Sequence, residues 1–145
     1  MPPTTLRQQL IRDEGARQDA SGRHMPYRDG LGFLTIGYGR CLDRIGLSEA
    51  EAALLLDNDI AVAEAAVAAN VVGLEALDEA RRGVLVNMCV NLGLAGLLGF
   101  RRFLGALRTQ DWERAATEML DSRWHEQVGA RAQRLAEQMR TGQWT

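Results

Sequence analysis

The sequence predicts an α+β fold with a small N-terminal lobe built on a β-hairpin or small sheet, a long connecting helix and an all-helical C-terminal lobe. Three observations carry this. Residues 27–40, YRDGLGFLTIGYGR, hold two short apolar or β-branched pieces set among glycines, the pattern of a hairpin. Residues 47–70, LSEAEAALLLDNDIAVAEAAVAAN, are rich in alanine and leucine and contain neither proline nor glycine, so they favour one helix of about 20 residues, or about 30 Å. From residue 76 onward every segment has helical spacing, and no proline occurs after Pro26.

Each element has its own local signals. TTLRQQLIRDEG places Leu6, Leu10 and Ile11 at helical spacing, opens on threonine and stops at Gly15, which puts Glu14 in the last turn of a short helix. Ser48 followed by Glu51 forms a capping box at the start of the connecting helix. In LDEARRGVLVNMCVNLG, residues Leu77, Val84, Leu85, Met88 and Leu92 lie on or near one side and Gly93 ends the run, so this helix should centre the C-terminal core. Asp111 and Ser122 are expected N-caps, and Gly142 an expected C-cap. The 145 residues read as a single domain. Its N-terminal lobe covers about 12–48, its connecting helix about 49–69 and its C-terminal lobe about 74–145, with the first helix packed on that last lobe.

Composition narrows the function classes. The net charge is −2, and all 17 basic residues are arginine, which argues against nucleic acid as the main partner. Residues 1–100 carry nine arginines against 13 acidic residues, and residues 101–145 carry eight against six. No window approaches a membrane span and the N-terminus lacks an apolar export region, so no membrane insertion is expected. Cys41 and Cys89 read as free thiols, the latter a small core residue in VLVNMCV. His24 and His125 lack metal-ligand spacing, and no metal or cofactor is expected. Glycines 30, 32, 37 and 39 are not followed by a Lys-Ser/Thr pair, so they read as turn glycines rather than a phosphate loop. Trp112, Trp124 and Trp144 are expected in the core, whereas Tyr27 and Phe33 are either core residues or contacts for a bound substrate.

Two carboxylates are the minimum for glycoside hydrolysis, one to protonate the leaving oxygen and one to activate water or attack. Glu14 ends a helix, where the negative end of the dipole disfavours a charged side chain and suits an acid. Asp29 sits in the hairpin, where backbone donors favour an ionised form. Thr35, six residues on, offers a hydroxyl to hold a water against Asp29. Asp-Gly is also ordinary turn chemistry, so composition alone leaves the structural explanation open.

LIRDEG, YRDGLGFLTIGYGR and LSEAEAALLLDNDI, followed by LVNMCVNLGLAGLLGF and DSRWHEQVGARAQRLAEQMRTGQW, resemble the bacteriophage lysozyme (endolysin) family, muramidases that cut peptidoglycan. The likeness runs through nearly the whole chain in the family's order and implies a lysozyme-like fold. It also implies that Glu14 is the acid, that Asp29 and Thr35 hold the attacking water, that Arg131 reaches across a cleft to the acid, and that Asn91 lines the sugar site. Asn91 is a shorter substitute for the glutamine that a family relative carries there. Between acid and aspartate lie 14 residues where the family usually has eight. The extra material falls in QDASGRHM, a polar stretch expected to form a loop or strand extension, and about residues 18–25 are expected to act as a mobile flap.

These readings imply a monomeric peptidoglycan hydrolase without cofactor that inverts at the anomeric carbon and lyses bacteria. It would collect in the host cytoplasm and reach the wall through a phage-made membrane lesion. Two alternatives stay open on the same fold: a lytic transglycosylase, in which Glu14 is both acid and base, and a non-catalytic wall-binding or virion structural protein.

Overall fold

The computed structural model describes all 145 residues. The chain forms two compact units, Met1–Leu54 and Leu55–Thr145.

The first unit holds helix α1 (Leu6–Glu14), strands β1 (Tyr27–Arg28), β2 (Leu34–Ile36) and β3 (Arg40–Cys41), and the start of helix α2 (Glu49–Asn70). Thr5 caps α1 by accepting from Gln8 N–H. Gly15 ends the helix at φ 67, with its N–H donating to Ile11 C=O. The α1 helix belongs to this first unit and buries no residue. Its short apolar row, Leu6, Leu10 and Ile11, lines an open surface pocket with Tyr38.

The three strands form one antiparallel sheet in the order β1-β2-β3. Tyr27 pairs with Thr35, and Thr35 pairs with Cys41. Directly opposed residues share a face, so Tyr27, Thr35 and Cys41 point one way while Arg28, Leu34, Ile36 and Arg40 point the other. Strands β2 and β3 meet through Gly37-Tyr38-Gly39, in which both glycines have positive φ, 64 and 80. That geometry suits a three-residue hairpin loop.

The insert, expected as a loop or strand extension, is a closed second hairpin. Gln18 bridges His24. Asp19 N–H donates to Arg23 C=O, Gly22 N–H to Asp19 C=O and Met25 N–H to Arg17 C=O. The Asp19 carboxylate accepts from Ser21 N–H, the Ser21 hydroxyl and Arg23 N–H. The Ser21 hydroxyl and the backbone donor of Arg23 hold that carboxyl below its ordinary range. Gly22, at φ 85, makes the turn.

Helix α2 opens with the expected capping box: Glu51 N–H donates to Ser48 Oγ, and Ser48 N–H donates to the Glu51 carboxylate. Arg40 then clamps the same carboxylate with two bonds, of 2.8 and 2.6 Å. This ties β3 to the α2 N-terminus.

The second unit is helical. The remainder of α2 leads through a 3₁₀ turn (Leu74–Ala76) to α3 (Glu79–Leu98), α4 (Arg101–Arg108), α5 (Trp112–Leu120), α6 (Arg123–Val128) and α7 (Ala130–Thr141). Gly93 breaks α3 at φ 75, ψ 165, so two helical pieces meet there. Asp111 and Ser122 cap α5 and α6, and Gly142 closes α7 in the left-handed conformation. Val84, Leu85, Met88, Leu97, Phe103, Met119 and Met139 are fully buried and form the core. Cys89 is a free, buried thiol whose ionisation burial pushes up. Trp124 is buried, whereas Trp112 is half-buried under the Arg81 guanidinium, 4.3 Å from its ring. Trp144 departs from expectation: it is 64% exposed. Its indole edge packs on Gly83 of α3, where any side chain would run into the ring, and so it covers the helix without entering the core. No single helix is long and apolar enough to cross a membrane.

The Arg40 clamp and the capping bond from Ser48 hold the Glu51 carboxyl at about 2, against an ordinary value of 4.5. A folded-state value below the unfolded one means that the stabilisation is complete above about 4.5 and fades as pH falls toward 2. Arg40→Met should therefore return the Glu51 titration toward 4.5 in an NMR pH series. The wild-type advantage in thermal midpoint should be present at neutral pH and shrink below 4.5; an unmoved Glu51 titration would refute the clamp.

Candidate active site

All three residues expected to carry the chemistry lie in the first unit. Asp29 closes the β1–β2 turn. Its N–H donates to Phe33 C=O, and its own C=O accepts from Gly32 N–H. Its Oδ1 accepts from Leu31 N–H and Phe33 N–H, both at 2.9 Å. Asp-Gly turn chemistry thus fixes the carboxylate, as the sequence allows, while Oδ2 makes no bond within the protein. Continuing the β1–β2 register puts Asp29 opposite Phe33 and on the same face as Thr35. Thr35 is a diagonal neighbour of Asp29 in that register. It is 3% exposed, and its hydroxyl donates to Phe33 C=O at 3.1 Å, which leaves the oxygen lone pairs as acceptors.

Glu14 is exposed at the end of α1. Its carboxylate rests against Gly39: a Cβ placed on residue 39 would stand 2.6 Å from Oε2. The glycine, already required by its φ of 80, is required a second time by this approach. Gly39 faces Gly37 across the tight turn. Asp29 and the Glu14 contact therefore lie at opposite ends of β2, four residues apart in register, or about 13 Å along the strand at ~3.3 Å per residue.

Phe33, the third expected sugar contact, is half-buried on the Asp29 face, with the Arg44 guanidinium 4.8 Å above its ring. On the opposite face Asp43 accepts from Leu34 N–H at 2.6 Å and approaches Arg28 at 4.0 Å. Arg28 in turn donates to Gly32 C=O. These bonds stiffen the hairpin that holds Asp29.

Asn91 and Arg131 lie in the helical unit, and each is bound to a partner that the sequence reading did not single out. The Asn91 side-chain oxygen accepts from the indole N–H of buried Trp124 at 2.7 Å. Arg131 donates to Asn87 Oδ1 from Nε at 3.0 Å and from Nη2 at 2.6 Å, and to Asn87 C=O at 3.4 Å. Asn87 and Asn91 are four residues apart, one turn along α3, so two amides occupy one helix face. That spacing was the available signal for Asn87. No spacing rule reaches the pairing with Arg131, 44 residues away. Gly39 was legible only as a turn glycine; its contact with Glu14 is a property of the fold.

Residues 18–141 match the phage lysozyme family. Asp29, Thr35, Phe33, Asn91 and Arg131 fall inside the matched span, and Glu14 lies just before it. The chain is 24% identical over 168 residues to the probable T4-type lysozyme 1 of Dictyostelium discoideum, covering 96% of this chain and 95% of that protein. It is 27% identical over 169 residues to the pre-baseplate central spike protein of Enterobacteria phage T4, covering 97% of this chain but 28% of that much longer protein. With a three-stranded antiparallel sheet, a long α2 and a helical remainder already in place, the match over most of its length means that the chain belongs to the phage lysozyme family and has its α+β, lysozyme-like fold.

Proposed function

We infer that the chain is a muramidase that hydrolyses the β-1,4 bond between N-acetylmuramic acid and N-acetylglucosamine with inversion. Family membership makes it a lysozyme-like peptidoglycan hydrolase at the general level. The observation that supports the finer reading is the arrangement around β2: a carboxylate resting on Gly39 at one end and a backbone-fixed carboxylate with a free Oδ2 at the other. In this reading Glu14 gives its proton to the glycosidic oxygen as the bond to the anomeric carbon breaks. A water attacks that carbon from the opposite face and passes its proton to Asp29 Oδ2. Thr35, its own proton committed to Phe33 C=O, accepts a hydrogen bond from that water and fixes its direction. Asn91, Arg131 and Phe33 are the sugar-contacting candidates, the first two held by Trp124 and Asn87.

The match to a central spike protein favours a second reading of where the enzyme works, with the same hydrolase carried by the virion. Detection of the chain in purified virions by mass spectrometry separates it from a freely released enzyme.

Glu14→Gln should stay folded and lose about 10²–10⁴-fold in clearing of chloroform-permeabilised Gram-negative cells, because an amide donates no proton. Full clearing by the folded variant would end the two-carboxylate account. Asp29→Ala should be severely impaired in the same assay, and released fragments should carry hydrolysed ends. Near-normal activity of Asp29→Ala with anhydro ends, one water lighter, would instead identify a transglycosylase.

Gly39→Ala and Gly37→Ala make a matched pair. Both impose a side chain on a positive φ, and each should cost about 1–2 kcal/mol of stability. Only at residue 39 does the new Cβ meet Glu14, since nothing lies within 4 Å of one at residue 37. Gly39→Ala should therefore lose about 10²-fold in turnover while Gly37→Ala keeps most of it. Equal losses would show that the contact does not place the carboxylate.

A further inference from the structure

We propose that His24, at the base of the inserted hairpin, is a positioning residue for Glu14 that acts through Tyr38. The proposal rests on the reading of Glu14 as the acid. Three observations converge on Tyr38, the central residue of the β2–β3 turn. The His24 ring meets it edge to face, with centroids 4.9 Å apart and planes at 75°, the arrangement an aromatic quadrupole favours. On another side Tyr38 lines an open surface pocket with Leu6, Leu10 and Ile11 of α1, the helix that ends at Glu14. The next residue, Gly39, is the surface on which the Glu14 carboxylate rests. Tyr38 thus touches both the insert and the acid-bearing helix, and it adjoins the glycine against which the acid rests.

Polar bonding does not account for where His24 sits. Its Nδ1 is buried without a partner, an arrangement folded proteins usually avoid. Its Nε2 reaches only the Gln18 side-chain nitrogen, at 3.4 Å. What the ring gains there is contact with Tyr38. The arm that delivers it is stiff, closed by three main-chain bonds and by the Asp19 carboxylate accepting three donors. A stiff arm against Tyr38 limits movement of the Gly37–Gly39 turn, and displacement of a catalytic group by about 1 Å costs up to about 10²-fold in rate.

The test is steady-state turnover on purified peptidoglycan with the full chain, alongside thermal midpoints. His24→Ala should lower kcat about tenfold with KM unchanged and with the thermal midpoint nearly unmoved, because His24 touches no sugar and lies outside the core. His24→Phe, which keeps an aromatic edge and removes both nitrogens, should restore kcat. In a Tyr38→Ala background, His24→Ala should cause no further loss, since the contact is already gone. His24→Gln, which also lacks the ring, carries the same expectation as the alanine variant if that protein does not fold. Wild-type kcat in His24→Ala, failure of phenylalanine to rescue, or additive losses in the double variant would overturn the proposal. Glu14→Gln run in parallel keeps the two readings apart. If it is inactive while His24→Ala is fully active, only the brace is wrong. If it is active, the acid assignment falls and the brace falls with it.

Discussion

The Glu14 carboxylate reaches the β2–β3 turn only because residue 39 has no side chain. That one approach couples three parts of the chain otherwise joined by loops. It fixes where α1 must end, since Gly15 stops the helix directly after Glu14. It also requires a tight glycine turn between two very short strands, and it makes Tyr38, at the centre of that turn, a contact for the residues around it. A two- or three-residue strand contributes little stability alone. Side-chain bonds supply what the ladder lacks: Asp29 and Asp43 bond backbone N–H groups of β2 and its turn, and Arg40 joins β3 to Glu51 at the head of α2.

The helical unit solves a different problem with the same economy of partners. Its core is aliphatic and methionine-rich, and polar atoms next to it are paired across long sequence separations. Asn91 takes the indole N–H of Trp124, and Asn87 takes the Arg131 guanidinium. Buried polar groups without such partners are costly. The side chains expected to meet sugar are thus also the ones whose orientation the packing already requires. Gln138, 3% exposed, is satisfied similarly by donating to Ala80 C=O.

What could be read in the sequence was local. The caps at Thr5, Ser48, Asp111 and Ser122 and the glycine stops at Gly15, Gly93 and Gly142 all stand where residue chemistry places them. Each needs only three or four neighbouring residues. The carboxylates were visible as residues, but only the family resemblance distinguished Asp29 from any Asp-Gly turn. Pairings at a distance were not legible: Asn87 with Arg131, Trp144 lying on Gly83, and Tyr38 beside α1 depend on where whole elements come to rest. The insert was legible in part for a related reason. Its polar composition suggests a loop or strand extension, and Asp19, Ser21 and Gly22 are turn-forming residues that satisfy one another within a hairpin. Polarity excludes a packed core without excluding a closed hairpin.

That hairpin also explains how a family fold admits six additional residues between its two carboxylates. If the connecting chain set their separation, lengthening it from eight residues to 14 would spoil the geometry. The connection does not set it. Asp29 is placed by its register against Phe33, Glu14 by its contact with Gly39, and both anchors belong to the β2 hairpins. The intervening segment has only to leave α1 and enter β1, and a closed hairpin does so by returning close to where it began, with Gln18 beside His24. Since the entropy of closing a longer loop rises only slowly with length, the insertion is tolerated thermodynamically. Once tolerated, a stiff arm ending at the acid-bearing turn becomes a place where contacts such as His24 on Tyr38 can influence catalysis without altering either carboxylate.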